Sequence, residues 1–250
     1  MEPIISLEGI SFSYHRPDGE IEALSDISFS VSKGEFVSLV GPSGCGKSTI
    51  LSILAGLNQA GSGTVDIRDG VSFGYMFQQD LLLPYQTIWK NISLGPSIHK
   101  TLTPETKKRL KALLYKYGLS HFSENYPGQL SGGMRQRAAL IRTLALDPDI
   151  LLLDEPFSAL DYQTRLLVAD DIGRIIRKEN KTAILVTHDL SEAISLSDKI
   201  IILSNRPAKV VKIMDIDIPC KDKGSLAVRE HKRFGDYFQV LWKEMNTPHE

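Results

Sequence analysis

Gly41-Pro42-Ser43-Gly44-Cys45-Gly46-Lys47-Ser48-Thr49 stands directly after the apolar run Phe36–Val40 and opens a segment, 47–57, of helical character that stops at Gly56-Leu57-Asn58. It matches G-x-x-x-x-G-K-[ST] in the strand-to-helix context that this pattern requires. Glycines let successive backbone N–H groups turn toward one anion with no Cβ in the way, and the helix start adds partial positive charge. The stretch therefore predicts a nucleoside triphosphate site, with Lys47 reaching the β and γ phosphates and Ser48 ligating Mg²⁺.

Working outward, the first third reads as strands joined by turns, at 4–14, 27–31, 65–67 and 72–76. The middle changes character: 103–118 begins Thr-Pro-Glu and stops at Gly118, and 131–146 is a second helix ended by Asp147-Pro148. The last part alternates strand and helix: strands at 150–153, 183–187 and Lys199–Leu203, helices at 163–178 and 191–196. That alternation predicts right-handed crossovers into a mainly parallel sheet, with ligands beyond the carboxyl ends of its strands. Residues 80–147 read as a helical lobe set into an α/β core made of 1–79 and 148–250.

Two further stations fall at such an end or at a helix start. The strand Ile150-Leu151-Leu152-Leu153 delivers Asp154 and Glu155. Alone, Asp-Glu-Pro would read as a strand ending at the surface. Beside a phosphate loop, the economical assignment has Asp154 holding Mg²⁺ through water and Glu155 polarising the attacking water. Leu130-Ser131-Gly132-Gly133-Met134-Arg135-Gln136-Arg137 starts a helix with an N-cap serine and bared amides, a second anion-binding device in the other lobe. One chain thus carries two phosphate-binding devices and one acid pair. This predicts a head-to-tail dimer of two copies with shared nucleotides.

Bulk properties narrow the class. Lys plus Arg number 29 against 30 Asp plus Glu, so no basic face for nucleic acid is expected. The two cysteines, Cys45 and Cys220, give no support to a disulfide framework. MEPIISLEGI lacks the basic start and apolar stretch of a signal peptide, and no run approaches the ~18 apolar residues of a membrane span.

Over nearly its whole length the chain resembles an ATP-binding cassette (ABC) transporter ATPase subunit. Residues 130–136 match that family's LSGGxxQ, and the other stations occur in order: Tyr14 in Ser-Phe-Ser-Tyr, Gln78 in Met-Phe-Gln-Gln-Asp, Ser158-Ala159-Leu160-Asp161, and His188 in Val-Thr-His-Asp. The resemblance implies a P-loop NTPase core with an N-terminal antiparallel β portion and an inserted helical lobe carrying the signature, and it implies ATP and Mg²⁺ as the bound cofactors. It implies that Tyr14 stacks on adenine, and that Gln78, favoured over Gln79 by its spacing from Phe77, contacts Mg²⁺ and the lytic water. His188 would bond the γ-phosphate and hold the water of Glu155 in line. Ser131, Gly132, Gly133 and Gln136 belong to the motif that binds nucleotide across the dimer, with Asp161 supporting the opposing site.

The segment Leu81-Leu82-Leu83-Pro84-Tyr85-Gln86-Thr87-Ile88-Trp89-Lys90-Asn91-Ile92 is apolar and aromatic. In importers resembling this chain, that region receives a short helix of the membrane subunit. Phe234, Phe238, Leu241, Trp242 and Met245 are spaced for one helical face that packs back on the core. This C-terminal stretch is short for the appended regulatory domains of sugar-type or methionine-type importers. The compact form is most similar to the nitrate/sulfonate/taurine group, which includes carriers of thiamine precursors. Expected partners are permease subunits and, indirectly, an extracytoplasmic solute-binding protein, at the cytoplasmic face of the membrane and without nucleic acid. The rivals are a soluble cassette acting on DNA or ribosomes, an exporter accessory, and a GTP switch. The last lacks its N-K-x-D reader, since Asn180-Lys181-Thr182 runs into Ala183.

Overall fold

A computed structural model describes residues 2–17, 19–158, 160–219 and 225–247. Cys220 and Ala159 lie outside the described residues. The chain divides into two compact units, 1–71 with 169–250, and 72–168. The expected helical lobe, 80–147, lies inside the second unit, which also takes in the strands on either side of it.

In the first unit β1 (Pro3–Arg16) and β2 (Gly19–Ser32) form an antiparallel pair. The pairing continues through β4 (Ser62–Ile67), antiparallel to β1. Gly63 sits at φ +84°, where a Cβ would come within 2.4 Å of the Gly9 carbonyl, so β4 approaches β1 at a distance only glycine permits. Between them run β3 (Phe36–Val40), fully buried, and α1 (Lys47–Leu54). The strand β3 pairs in parallel with β7 (Thr182–Val186) on one side and β8 (Lys199–Leu203) on the other. These are nearly continuous apolar runs, broken within β3 only by the buried Ser38, as strands covered on both faces should be. The strand β9 (Val210–Asp215) returns antiparallel to β8.

The helices α7 (Leu190–Leu196), α8 (Ser225–Glu230) and α9 (Lys232–Asn246) close this unit. Leu241 is fully buried with Val40, Ile194, Ile200 and Val228, and Phe234, Phe238 and Met245 pack against that cluster. Trp242, expected on the same face, is 58% exposed. It extends the aromatic ladder of α9, stacking on Phe238 with centroids 6.2 Å apart. Adjacent residues on a helix point about 100° apart, so with Leu241 aimed into the core its neighbour is turned toward solvent.

In the second unit β5 (Phe73–Met76) and β6 (Ile150–Asp154) pair in parallel. Gly74 is required there: a Cβ would lie 2.7 Å from Pro148 Cγ and 2.8 Å from Thr143 Cγ2. The helices are α2 (Ile88–Ile92), α3 (Leu94–Ile98), α4 (Pro104–Lys116) and α5 (Gly132–Leu144). Thr103 caps α4 by accepting from the Thr106 amide, with Pro104 at the first helical position. The helix α6 (Tyr162–Lys178) begins in this unit, and from Ala169 onward it belongs with the first.

Candidate functional site: phosphate loop, acid pair and signature turn

In the first unit the loop 41–49 leaves the carboxyl end of β3 and winds directly into α1. Gly44 and Gly46 take φ of +73° and +126°. A side chain at Gly46 would meet Leu24 Cδ2 at 2.7 Å and the Ala23 carbonyl at 3.0 Å, so the loop is pressed onto β2. Lys47 is buried, and its Nζ donates to the carbonyls of Gly41 (2.8 Å) and Pro42 (2.9 Å), which anchors the ammonium across the loop. Ser48 is exposed and Thr49 buried. Burial pushes the Cys45 thiol above its ordinary pKa, opposed by the positive charges of Lys47 and Arg206.

Tyr14 and Thr49 share a hydrogen bond of 2.9 Å between their hydroxyls, which ties β1 to the loop. The Tyr14 ring meets Phe12 edge-on, 4.9 Å between centroids, and remains 40% exposed. It flanks a hollow of about 610 Å³ lined also by His15, Glu20, Asn58 and Gln59. His188 follows β7 and is exposed. The turn holding it is built by Thr187, whose hydroxyl donates to the Glu192 carboxylate (2.7 Å) and accepts from the Asp189 amide (3.0 Å). Asp189 caps α7 by accepting from the amides of Ser191 and Glu192.

In the second unit the end of β6 gathers the acid pair. Asp154 accepts from the Tyr75 hydroxyl at 3.1 Å. The chain then turns through Glu155 at φ +44°, a left-handed conformation costly for a residue with a Cβ. Gln78 Nε2 donates to Glu155 Oε2 at 3.2 Å and to Ser158 Oγ at 3.3 Å. The Ser158 hydroxyl in turn donates to the Glu155 carbonyl at 3.1 Å. The residues expected to act on the lytic water, Gln78 and Glu155, are thus in direct contact.

The signature turn carries its N-cap: Ser131 Oγ accepts from the Met134 amide at 3.3 Å. A Cβ at Gly133 would lie 2.9 Å from Thr164 Cγ2, and one at Gly132 3.3 Å from Leu160 Cδ2. The glycines therefore let the start of α5 nest against the start of α6. There Asp161 accepts from the Thr164 amide at 3.1 Å, and hydrogen bonding from the Thr164 hydroxyl first, then from that amide, lowers its pKa. Ser131 and Asp161 are both exposed, whereas Gln136 is 3% exposed with its Oε1 lacking a hydrogen-bond partner.

Three residues that the motif reading passed over join these stations. Arg135 Nε binds Asp80 Oδ2 at 3.0 Å while its Nη1 donates to the Leu130 carbonyl at 2.9 Å. Arg142 donates to the carbonyls of Asp80 and Leu81, both at 2.7 Å. Burial lowers the pKa of Arg142, against the opposing charge of Asp80. The segment after Gln78 is therefore bolted to the signature helix at two heights. It continues into a loop held by Asn91, fully buried, which accepts from the Leu83 amide (2.7 Å) and donates to the carbonyls of Leu83, Gln86 and Thr87. That loop presents Tyr85, 70% exposed. Beyond it Trp89, Lys107, Lys111, Leu114, Ser120 and Ser123 line a groove of about 520 Å³.

Among the described residues no three His, Cys, Asp or Glu side chains converge as a metal cage. Nor is any described helix long and apolar enough to cross a membrane.

The family model described as ABC transporter matches residues 24–158. The ABC transporter ATP-binding protein YtlC of Bacillus subtilis (strain 168) is 43% identical over 249 residues, covering 97% of this chain and 96% of its own. The aliphatic sulfonates import ATP-binding protein SsuB 1 of Rhodococcus jostii (strain RHA1) is 43% identical over 206 residues, covering 81% and 80%. The solved dimeric structure of the ATP-binding cassette MJ0796 in a post-hydrolysis state, bound to ADP and Pi, superposes with a TM-score of 0.72 at 31% identity, covering 86% of this chain and 99% of that one. With a phosphate loop, an acid pair and a signature turn in one chain, and with relatives that match along nearly all of it, the chain belongs to the ABC transporter family, as one of its ATP-hydrolysing cassettes.

Proposed function

We propose that this cassette drives an importer: two copies close head-to-tail on ATP and move membrane-spanning permease subunits that take up a small solute delivered by an extracytoplasmic binding protein. The solute class supported by the relative SsuB 1 is the aliphatic sulfonates, taurine among them; nitrate and a thiamine precursor are the alternatives. The observation that carries the reading is the covalent and hydrogen-bonded continuity of the second unit. Gln78, in contact with Glu155, runs directly into the Tyr85 loop and the Trp89 groove, and Arg135 and Arg142 tie that path to the signature helix. A segment that senses the γ-phosphate at one end and docks a permease helix at the other converts chemistry into motion. Docking of this kind places the chain at the cytoplasmic face of the membrane.

In this reading the amides of the phosphate loop and Lys47 hold the β and γ phosphates, and Tyr14 offers its exposed ring to adenine. Glu155 accepts a hydrogen bond from the attacking water, which Gln78 and His188 keep in line. Ser131 and Gly133 of the opposite copy contact the γ-phosphate and Asp161 supports that arrangement, with Gly132 and Gln136 belonging to the same nucleotide-binding signature. Mg²⁺ is the ion this reading expects, because the Ser48 hydroxyl, the Asp154 carboxylate and the Gln78 side-chain carbonyl are each hard oxygen donors of the kind it takes, and nucleotide and water oxygens would supply the rest of its shell. When bound, that ion neutralises charge developing on the phosphate oxygens.

The test is purification of the chain from mildly solubilised membranes, as wild type and as Glu155→Gln. The reading expects a stoichiometric multi-spanning partner in both. It expects the variant to bind ATP, persist as an ATP-bound dimer and lose turnover by about 10²–10⁴-fold. Normal hydrolysis by Glu155→Gln sinks the assignment of the base. A chain that brings down ribosomes or nucleic acid instead of a permease sinks the importer while leaving the ATPase.

A further inference from the structure

We propose that Arg206 is a nucleotide-binding residue, its guanidinium supplying a second cation to the phosphates held by the loop 41–49 of the same chain. This rests on the reading of that loop as the ATP site and adds to it a group no motif assigns.

The turn between β8 and β9 brings Arg206 to the loop. Strand β8 runs beside β3 with Ile202 opposite Val40, so the two chains leave the sheet side by side, and the Leu203 carbonyl lies 3.0 Å from the Cβ position of Gly41. The turn itself is fixed internally: the Ser204 amide donates to the Lys209 carbonyl at 3.0 Å, and the Lys209 amide to Ser204 Oγ at 2.9 Å. It is also fixed to β2, since the Ser25 amide donates to the Ala208 carbonyl (2.9 Å) and the Ala208 amide to the Ala23 carbonyl (3.0 Å). Ala23 and Leu24 are the residues against which Gly46 is pressed. One bracket of backbone therefore grips the loop near both ends, and Arg206 is carried on it.

Arg206 Nη2 stands 4.0 Å from the Cβ position of Gly44, at the crest of the loop, and its charge reaches the Cys45 thiol. The side chain is exposed, and among the described residues it has no hydrogen-bond or ion-pair partner of its own. A guanidinium beside the crest of this loop, with five donors unspent, matches the polyphosphate of ATP: it is always charged and takes phosphate oxygens in pairs. Lys209 lies on the same turn and lines a hollow with Arg206, which makes it a control of equal charge.

The experiment compares wild type, Arg206→Ala, Arg206→Lys, Lys209→Ala and Lys47→Ala as full chains. ATP and adenosine affinities are measured by calorimetry at two salt concentrations. The proposal expects Arg206→Ala to weaken ATP about tenfold, as loss of a part-exposed charge-assisted bond does. Its salt dependence should be shallower, its adenosine binding unchanged, and Arg206→Lys should fall between it and wild type. ATP affinity within about twofold of wild type in Arg206→Ala, or an equal loss in Lys209→Ala, overturns it. If Lys47→Ala also leaves ATP binding intact, the underlying assignment of the loop fails and this proposal with it. Because the Arg206 side chain supports nothing in the fold, the unliganded melting temperature should not move.

Discussion

Asn91→Ala is the substitution that most sharply tests how the Tyr85 loop is held. The side chain is wholly buried and accepts one bond while its two N–H groups are shared among three carbonyls, all of backbone at 83–87. Removing it strands the Leu83 amide, at about 1–3 kcal/mol for an orphaned buried donor. It also frees three carbonyls, but Leu83, Gln86 and Thr87 are half-buried, so water recovers part of those bonds. The sum is about 3 kcal/mol, a sizeable share of the roughly 5–15 kcal/mol typical of a domain. Urea titration followed by circular dichroism reads it directly. Asn91→Asp separates the two halves of the network. Its carboxylate still accepts from the Leu83 amide, but when ionised it faces three carbonyl oxygens. Its folded-state pKa should therefore exceed the unfolded one, and stability should be fullest at low pH and lost as pH rises through the folded pKa. Asn91→Asp should thus lie nearer to wild type at about pH 5 than at about pH 8. A cost below about 0.5 kcal/mol for Asn91→Ala would refute the claim that this side chain organises the loop.

Other expectations concern the rest of the molecule. Gly133→Ala forces a methyl to 2.9 Å from Thr164 Cγ2; overpacking of that kind costs about 1–3 kcal/mol, and an unchanged urea midpoint would show that α5 and α6 yield freely. Leu241→Ala should cost about 2–5 kcal/mol and Trp242→Ala under about 1, because only the first is buried; equal losses would mean that the face of α9 was misjudged. Since burial raises the Cys45 pKa, thiol alkylation near neutral pH should be slower than that of a free thiol, accelerate with pH and slow further under ATP. Fast alkylation insensitive to ATP would place the thiol away from the nucleotide.

Much of this was legible in the residues because it depends on local physics. The phosphate loop is a strand, two glycines at positive φ and a helix start, all within one short stretch of chain. Ser131, likewise, is an N-cap wherever its helix lies. The strand Lys199–Leu203 agrees with its expected bounds because an unbroken apolar run behind a single lysine admits little else. The strand β9 escaped detection: its residues are half-exposed without alternation, so no period marks them. The short α3 carries Gly95 and Pro96 and is too brief to show a helical period, yet Pro96 occupies the first turn where its missing amide costs nothing. The helical lobe reads as 80–147 from composition, whereas contacts draw in β5 and β6, whose register sets Phe73 opposite the distant Ile150. Long-range partner choice is the common factor in what was missed. An arginine at 135 or 142 reads only as a helix residue, and nothing nearby says that both will close on the backbone and carboxylate around Asp80. Arg206 is silent for the same reason: only the β3–β8 register brings it to the loop.

The left-handed backbone at Glu155 has an evolutionary corollary. A non-glycine residue held at φ +44° costs roughly 1 kcal/mol or more relative to one that relaxes there, and glycine is the residue that relaxes. A selection that rewarded heat resistance alone would therefore drift toward Glu155→Gly and, on the role proposed for that carboxylate, lose turnover on the way. Thermotolerant but inactive clones from unbiased mutagenesis should be enriched in that one replacement if the proposed role of Glu155 holds, so the position would report what selection has valued: the carboxylate proposed to act on the water, kept in place against the preference of its own peptide.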